Sequence, residues 1–174
     1  DVLPWPILSL FDEEVSDTQG LFTLGEGQVD LSEITTSCVL DPNKTYYVSN
    51  PPLLIHSLSG EEIDVVIPSG TTIVLAEDWD YGIVVYDGAN VHFGEPATEF
   101  NEPNNIQPPG NPNNPTEPVW VIGESKNPFF NNYCGILIDR TAGTRCLVNN
   151  IYLSGHYYGI LVDQQLEYPV SNIY

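Results

Sequence analysis

This chain of 174 residues has few basic residues: four Lys and Arg stand against 24 Asp and Glu, for a formal net charge of −20 at pH 7. Nucleic-acid binding needs Lys and Arg to neutralise phosphates, so this class of function is excluded. An anionic membrane surface repels the chain for the same reason. A run of about 20 apolar residues, which a membrane-spanning helix needs, is also missing, so we expect no membrane insertion.

Residues that favour helices are scarce as well. The chain has no Met, but it has 15 Pro and 14 Gly. Val, Ile and Thr are abundant, and Pro, Gly, Asn and Asp interrupt the short apolar stretches that contain them. The pattern predicts an all-β fold of many short strands joined by tight turns. The apolar fraction of 41% is enough for a core.

The three cysteines are Cys38, Cys134 and Cys146. An odd number leaves at least one of them unpaired within the chain. Cys134 and Cys146 are close enough in sequence to form a disulfide in an oxidising compartment. The alternative is that they are small apolar core residues.

Composition divides the chain into three parts. Residues 1–37 alternate apolar and acidic stretches, which predicts an irregular N-terminal arm or cap, with room for a helical turn over 29–36. Residues 38–174 carry the regular β pattern. A Pro/Asn-rich insertion at 95–118, with seven Pro and six Asn, interrupts that pattern and cannot form a long strand or helix.

An internal repeat lies in the last part of the chain. Residues 133–139 (YCGILID) return as residues 157–163 (YYGILVD), and residues 148–152 (VNNIY) return as residues 170–174 (VSNIY). Two different strands therefore repeat together with a period of 22 to 24 residues. A period in this range indicates a solenoid of short coils, and a parallel β-helix fits it best.

In such a solenoid, equivalent residues of successive coils stack on one another. We expect Ile136 to stack on Ile160 in the interior, and Ile151 on Ile173. We expect Asn150 and its equivalent Asn172 to form a ladder of side-chain amides at a turn. The glycines at positions 135 and 159 should lie at a bend that excludes a Cβ atom.

Residues 65–96 (VVIPSGTTIVLAEDWDYGIVVYDGANVHFGEP) contain a Pro-x-Gly-Thr-Thr strand, a Gly-x-Val strand and a turn to Gly-Glu-Pro. This stretch resembles the opening coils of the right-handed parallel β-helix proteins, the pectate-lyase-like superfamily. The resemblance covers residues 65–94 and 119–174 best. It implies a right-handed β-helix, and it is nearly silent about activity because a fold does not define a function.

Two groups of acidic residues are candidates for binding calcium. Asp163 should stack over Asp139, and two carboxylates about 5 Å apart repel each other unless a cation or a shared proton relieves them. Asp78 and Asp80 flank Trp79 and form the second candidate. The alternatives are a solvated turn for the first pair and a plain acidic loop for the second. No cofactor follows with certainty, and Ca²⁺ is the candidate.

Aromatic residues suggest contact with a glycan, since a sugar ring stacks on an aromatic face. Trp79 and Tyr81 are the candidates for this role. Asn43 begins an Asn-Lys-Thr glycosylation sequon. His156 follows Gly155 as in the Gly-His-Gly of polygalacturonases, but Tyr157 departs from that motif and no Asp-Asp pair precedes it. We therefore assign no catalytic residue.

These observations favour a secreted or cell-surface β-helix that acts as a structural, adhesive or glycan-contacting scaffold. Because Tyr174 falls inside a repeat, we expect further coils in a longer protein or docking of the open last coil. The first alternative is a polysaccharide lyase or hydrolase, although the shortage of basic residues disfavours a polyanionic substrate. The second is a self-assembling filament subunit, with residues 1–11 as a partner for the open edge. The expected partners are other copies of the chain or a cell-surface glycan.

Overall fold

The computed structural model describes residues 28–76, 80–94, 117–123 and 133–174, and all regular structure within these ranges is β-strand. The strands are β1 (Gln28–Asp30), β2 (Glu33–Ile34), β3 (Cys38–Val39), β4 (Thr45–Val48), β5 (Leu53–Ile55), β6 (Ile63–Ile67), β7 (Thr72–Leu75), β8 (Tyr81–Val85), β9 (Ala89–Phe93), β10 (Val119–Gly123), β11 (Cys134–Ile138), β12 (Leu147–Ser154), β13 (Tyr158–Val162) and β14 (Ser171–Ile173). Among these described residues there is no helix of the length and apolarity needed to cross a membrane.

Every strand pair is parallel, and the chain visits three faces in turn. Face A stacks β1, β4, β7, β10, the second part of β12 and β14. Face B stacks β2, β5, β8, β11 and β13. Face C stacks β3, β6, β9 and the first part of β12, so β12 joins faces C and A into one bent sheet. This architecture confirms the predicted all-β parallel β-helix.

The predicted register of the repeat is confirmed residue by residue. Ile136 pairs with Ile160 on face B, and Ile151 pairs with Ile173 on face A. Residues 81–87 (YGIVVYD), which come before the repeat in the chain, align with it on face B, because Ile83 pairs with Ile136. A repeat of apolar residues at the coil period thus becomes a stack of branched side chains along the axis of the solenoid.

Alternation along each strand sends one set of side chains into the interior. Ile83, Ile136 and Ile151 are each 0% exposed. Full burial of a side chain of this size stabilises the fold by about 1.5–3 kcal/mol. The larger Tyr46 and Phe93 are also fully buried and fill the same interior.

The first coil begins earlier than the sequence suggests. Strand β1 starts at Gln28, so coil structure precedes the predicted boundary at Cys38, and the helical turn over 29–36 is wrong. The physical reason is that Val29 and Ile34 have the spacing to fill the interior of a coil, where they are 4% and 0% exposed. Residues 1–27 of the predicted arm, and residues 95–116 of the predicted insertion, lie outside the described residues.

The asparagine ladder expected between Asn150 and Asn172 is replaced by other contacts, and the two residues lie within β12 and β14 rather than at a turn. Asn150 and Asn172 both adopt positive φ angles, 53° and 51°, which Asn tolerates better than most residues. The Asn172 side-chain amide donates to Oδ1 of Asn149 at 2.8 Å, and that of Asn150 donates to the carbonyl of Glu117 at 3.3 Å. The direct contact between Asn150 and Asn172 was therefore wrong, since each side chain bonds to a different neighbour.

Candidate functional site

Four tyrosines form a continuous cluster where the chain turns onto face B, and we call this cluster the tyrosine corner: Tyr81, Tyr133, Tyr157 and Tyr158. Tyr133 packs edge-to-face with Tyr81 at 5.9 Å and with Tyr158 at 5.1 Å between ring centroids. Tyr157 packs against Tyr158 in the same way at 5.1 Å. Edge-to-face pairs are worth about 0.5–1.5 kcal/mol each beyond the area they bury, so the rings stabilise one another's positions.

The register of face B explains why these residues meet. Cys134 pairs with Tyr81 below it and with Tyr158 above it. The preceding residues are therefore equivalent too: the amide of Cys134 donates to the carbonyl of Asp80, and that of Tyr158 donates to the carbonyl of Tyr133. One column along the solenoid axis consequently runs from Asp80 through Tyr133 to Tyr157.

The tyrosine corner faces solvent. Tyr157 is 80% exposed, Tyr133 is 45% exposed and Tyr158 is 44% exposed. Large aromatic side chains with this exposure on two successive coils form a contact surface, because Tyr offers both an apolar ring and a polar hydroxyl. The sequence identified only Tyr81 of this group. The repeated Tyr at the start of each repeat was the signal for the others.

A second aromatic pair lies on the outer side of face A. Trp120 and Tyr152 pair across β10 and β12, with ring centroids 4.8 Å apart and planes tilted by 50°. Their neighbours Val121 and Ile151 are 0% exposed and point into the coil, so alternation directs the two aromatic rings outward. Aromatic side chains therefore lie on the outer side of face A as well as at the start of face B.

A polar cluster on face C joins three coils. The Arg145 guanidinium donates to Glu62 at 2.7 Å and to Asp64 at 3.2 Å. The buried Asn90 side chain donates to Glu62 at 3.2 Å and accepts from the backbone amide of Arg145 at 3.0 Å. Arg145 precedes β12, the two carboxylates lie on or beside β6, and Asn90 lies on β9, so the cluster fastens consecutive coils together.

The two carboxylates of that cluster have pKa values shifted in opposite directions. The hydrogen bond from Arg145 lowers the pKa of Glu62, which is about half exposed. Burial raises the pKa of Asp64 more than the nearby Arg145 lowers it. The same guanidinium binds both carboxylates, and this arrangement is suited to stabilising the contact between neighbouring coils.

The predicted calcium pair occupies equivalent positions at the ends of two strands. Asp139 and Asp163 follow Ile138 and Val162, which pair with each other. Oδ1 of Asp139 accepts from the backbone amide and the hydroxyl of Thr141 at 2.9 and 2.8 Å, and these bonds lower the pKa of Asp139. Within the described ranges, His, Cys, Asp and Glu side chains do not form any group of three or more that could hold a metal ion.

The second acidic group is described only in part. Asp78 and Trp79 lie outside the described residues, whereas Asp80 is exposed and Tyr81 belongs to the tyrosine corner. The sequon residue Asn43 is exposed in the turn before β4. Its backbone and side-chain amides both donate to Oδ1 of Asp41, at 2.9 and 3.1 Å.

All three cysteines are buried free thiols. The Cys134 thiol donates to the carbonyl of Ile136 at 3.1 Å, whereas the Cys146 thiol donates to that of Gly143 at 3.4 Å. The pairing between Cys134 and Cys146 that the sequence left open is not present in this structure. Burial raises the pKa of Cys38 to about 12 and that of Cys146 to about 11.

His156 lies close to Gly135, which is within β11 and not at the predicted bend. A Cβ atom on Gly135 would lie 3.0 Å from the His156 ring and 2.9 Å from the carbonyl of Gly159, so only glycine fits there. Both ring nitrogens of His156 are buried, and neither has a hydrogen-bond partner among the described residues. Burial lowers the pKa of this histidine.

Comparison of the chain with family models, with curated proteins and with solved structures finds no match.

Proposed function

We propose that this chain is an extracellular β-helix scaffold that holds a glycan against the tyrosine corner. The observation that carries the proposal is the run of edge-to-face tyrosines over three coils, three of them 44–80% exposed. Sugar rings present C–H groups that pack on aromatic faces, and tyrosine hydroxyls add hydrogen bonds. Because the tyrosines lie at or directly before the first residues of stacked strands and their rings pack on one another, they are held in place before a glycan binds, which lowers the entropic cost of binding.

We further propose that the coils are of the right-handed, pectate-lyase-like type. The motifs of residues 65–96 support this assignment, as does the in-register stacking of all-parallel sheets. Crossover connections between parallel strands are right-handed in nearly all known cases. Secretion or display at the cell surface is part of the same proposal.

A scaffold is favoured over the alternative, a polysaccharide lyase or hydrolase. Glu62 and Asp64 are the carboxylates whose pKa values are shifted apart, and both bind Arg145 on face C rather than at the tyrosine corner. The net charge of −20 also opposes approach of a polyanionic substrate. Appearance of unsaturated oligosaccharide from a uronate polymer, followed by ultraviolet absorbance, would instead favour the lyase.

The binding proposal is tested by titrating the chain with a panel of neutral, acidic and amino oligosaccharides in a calorimeter. At least one oligosaccharide should bind, and Tyr157→Ala should weaken that binding roughly tenfold or more, because a central aromatic contact is worth about 2 kcal/mol. Leu58→Ala is the matched control, since Leu58 is a 75% exposed apolar side chain between β5 and β6. Absence of binding across the panel, or equal affinity of the two variants, contradicts the proposal.

Self-assembly is a second candidate function, favoured by exposed apolar side chains on the coil of β13 and β14. Val162, Val170 and Ile173 are 38%, 41% and 39% exposed. Exposed strand edges with apolar side chains invite pairing with another chain. Light scattering should then show a mass that rises with concentration, and Val162→Lys should abolish the rise. A monomer at every concentration contradicts this role.

A further inference from the structure

We propose that the glycan bound at the tyrosine corner is a cationic amino-sugar polymer, and that Asp80 binds its ammonium groups. This inference rests on the proposed glycan-binding function and names the class of ligand. It follows from the position of Asp80 in the same column as two of the tyrosines, from the chemistry of the tyrosine rings and from the charge of the chain.

Asp80 occupies the same column as two of the tyrosines. The amide of Cys134 donates to the carbonyl of Asp80 at 2.9 Å, so Asp80 lies directly one coil below Tyr133. Adjacent strands of a sheet are about 4.8 Å apart. Asp80 is exposed, and Tyr157 continues the column one coil above Tyr133. A sugar lying along this column therefore meets a carboxylate at one end and aromatic rings over the rest.

The exposed tyrosine rings themselves favour a cation. The face of an aromatic ring carries partial negative charge, so it attracts an ammonium group placed above it. Tyr157, at 80% exposure, has the most accessible ring of the corner. An amino sugar can use both groups, because its ammonium group binds the carboxylate while its apolar face packs on the ring. A neutral sugar packs only on the ring.

The charge of the chain acts in the same direction. The net charge of −20 attracts polycations and repels polyanions such as uronate polymers. Both arginines of the chain are in the described ranges: Arg145 is bound by Glu62 and Asp64 on face C, and Arg140 follows Asp139 at the opposite end of β11 from the tyrosine corner. Neither arginine competes with a bound ammonium group for Asp80.

The test compares two oligomers of the same length and ring structure, the hexamer of glucosamine and that of N-acetylglucosamine, by calorimetry at pH 6 and low salt. The amino hexamer should bind at least roughly tenfold more tightly, since 1.4 kcal/mol corresponds to a factor of ten. Asp80→Asn should remove this preference, and Asp80→Glu should retain most of it. Asp87→Asn is the matched control: Asp87 is an exposed carboxylate just beyond the other end of β8, and it should leave the preference unchanged.

The outcomes separate this inference from the proposed function. Equal binding of both hexamers overturns the amino-sugar inference and leaves glycan binding intact. Binding of neither hexamer, nor of any other oligosaccharide, overturns both. An equal loss of preference in Asp80→Asn and Asp87→Asn shows that only the overall charge matters, which overturns the role of Asp80. Circular dichroism of each variant confirms that the fold is retained.

Discussion

The coil of β11 and β12 and the coil of β13 and β14 share two repeated strand segments in the same register, yet their interior positions differ in burial. Ile151 is 0% exposed, whereas its partner Ile173 is 39% exposed. Ile138 is 0% exposed, whereas its partner Val162 is 38% exposed. The difference shows that burial in a solenoid depends on the coil stacked above a residue as much as on the residue itself. Stability should therefore be a sum of terms between neighbouring coils.

The largest expected effect comes from an interior isoleucine with a coil on both sides. Ile136→Ala should lower the free energy of unfolding by about 2–5 kcal/mol, whereas Ile160→Ala should cost about 1 kcal/mol because Ile160 is only partly buried. Urea unfolding followed by circular dichroism measures both. If Ile136→Ala does not fold, the Ile136→Val and Ile160→Val pair keeps the comparison. Equal losses at the two positions would refute the difference between the coils.

The glycines give a second matched pair with a smaller effect. Gly135→Ala forces a methyl group to within 2.9 Å of the Gly159 carbonyl, and such crowding costs about 1–3 kcal/mol. Gly159→Ala meets only the methyl group of Leu153 at 3.1 Å, which can move, so its cost should be below about 1 kcal/mol. The same urea titration applies. A cost at Gly159 as large as that at Gly135 would contradict the close contact.

A third, smaller effect is a dependence of the last coils on pH. Burial of His156 lowers its pKa in the folded chain, so the folded state prefers the neutral ring. The resulting stability is complete above about pH 6.5, the ordinary pKa of histidine, and is lost as the pH falls through the lower folded pKa. His156→Phe should flatten this dependence.

Amide exchange provides the measurement, with protection of residues 147–174 followed from pH 7 downward. The wild-type chain should lose protection in β13 and β14 before β6 and β9. The experiment counts against His156 if the wild-type chain and His156→Phe lose protection at the same pH.

The smallest effect concerns only rates of thiol alkylation. Burial raises the pKa of all three thiols, so in the folded chain each thiol should be alkylated only when the surrounding structure opens locally. Cys134 lies on β11, which pairs with β13, where Val162 is 38% exposed, whereas Cys38 pairs with Val65, which is 0% exposed, so Cys134 should react first. Peptide mapping by mass spectrometry gives the order. Earlier labelling of Cys38 would mean that the first coil opens more easily than the last.

The repeat made the stacking of Ile136 on Ile160 predictable, since a regular coil period forces equivalent residues into register. The start of the solenoid was harder, because the pattern of residues 29–36 fits a helical turn as well as two short strands. The asparagine contacts also escaped prediction: a column of equivalent positions does not specify which side chain of the next coil an amide reaches. Asn172 in fact bonds to Asn149.

The amino-acid sequence by itself determined that the chain is all-β, acidic and built of stacked coils, because strand propensity, net charge and repeat period are local or additive properties. The tertiary structure alone decided which side chains contact one another outside the interior. It packs Tyr133 against Tyr158. It also brings Arg145 into contact with Glu62, which is 83 residues away in the sequence. Such contacts depend on the number of residues in each turn that connects two strands. Turn lengths vary from coil to coil, so the repeat marks Tyr133 and Tyr157 as equivalent, but only the folded register aligns Asp80 with them.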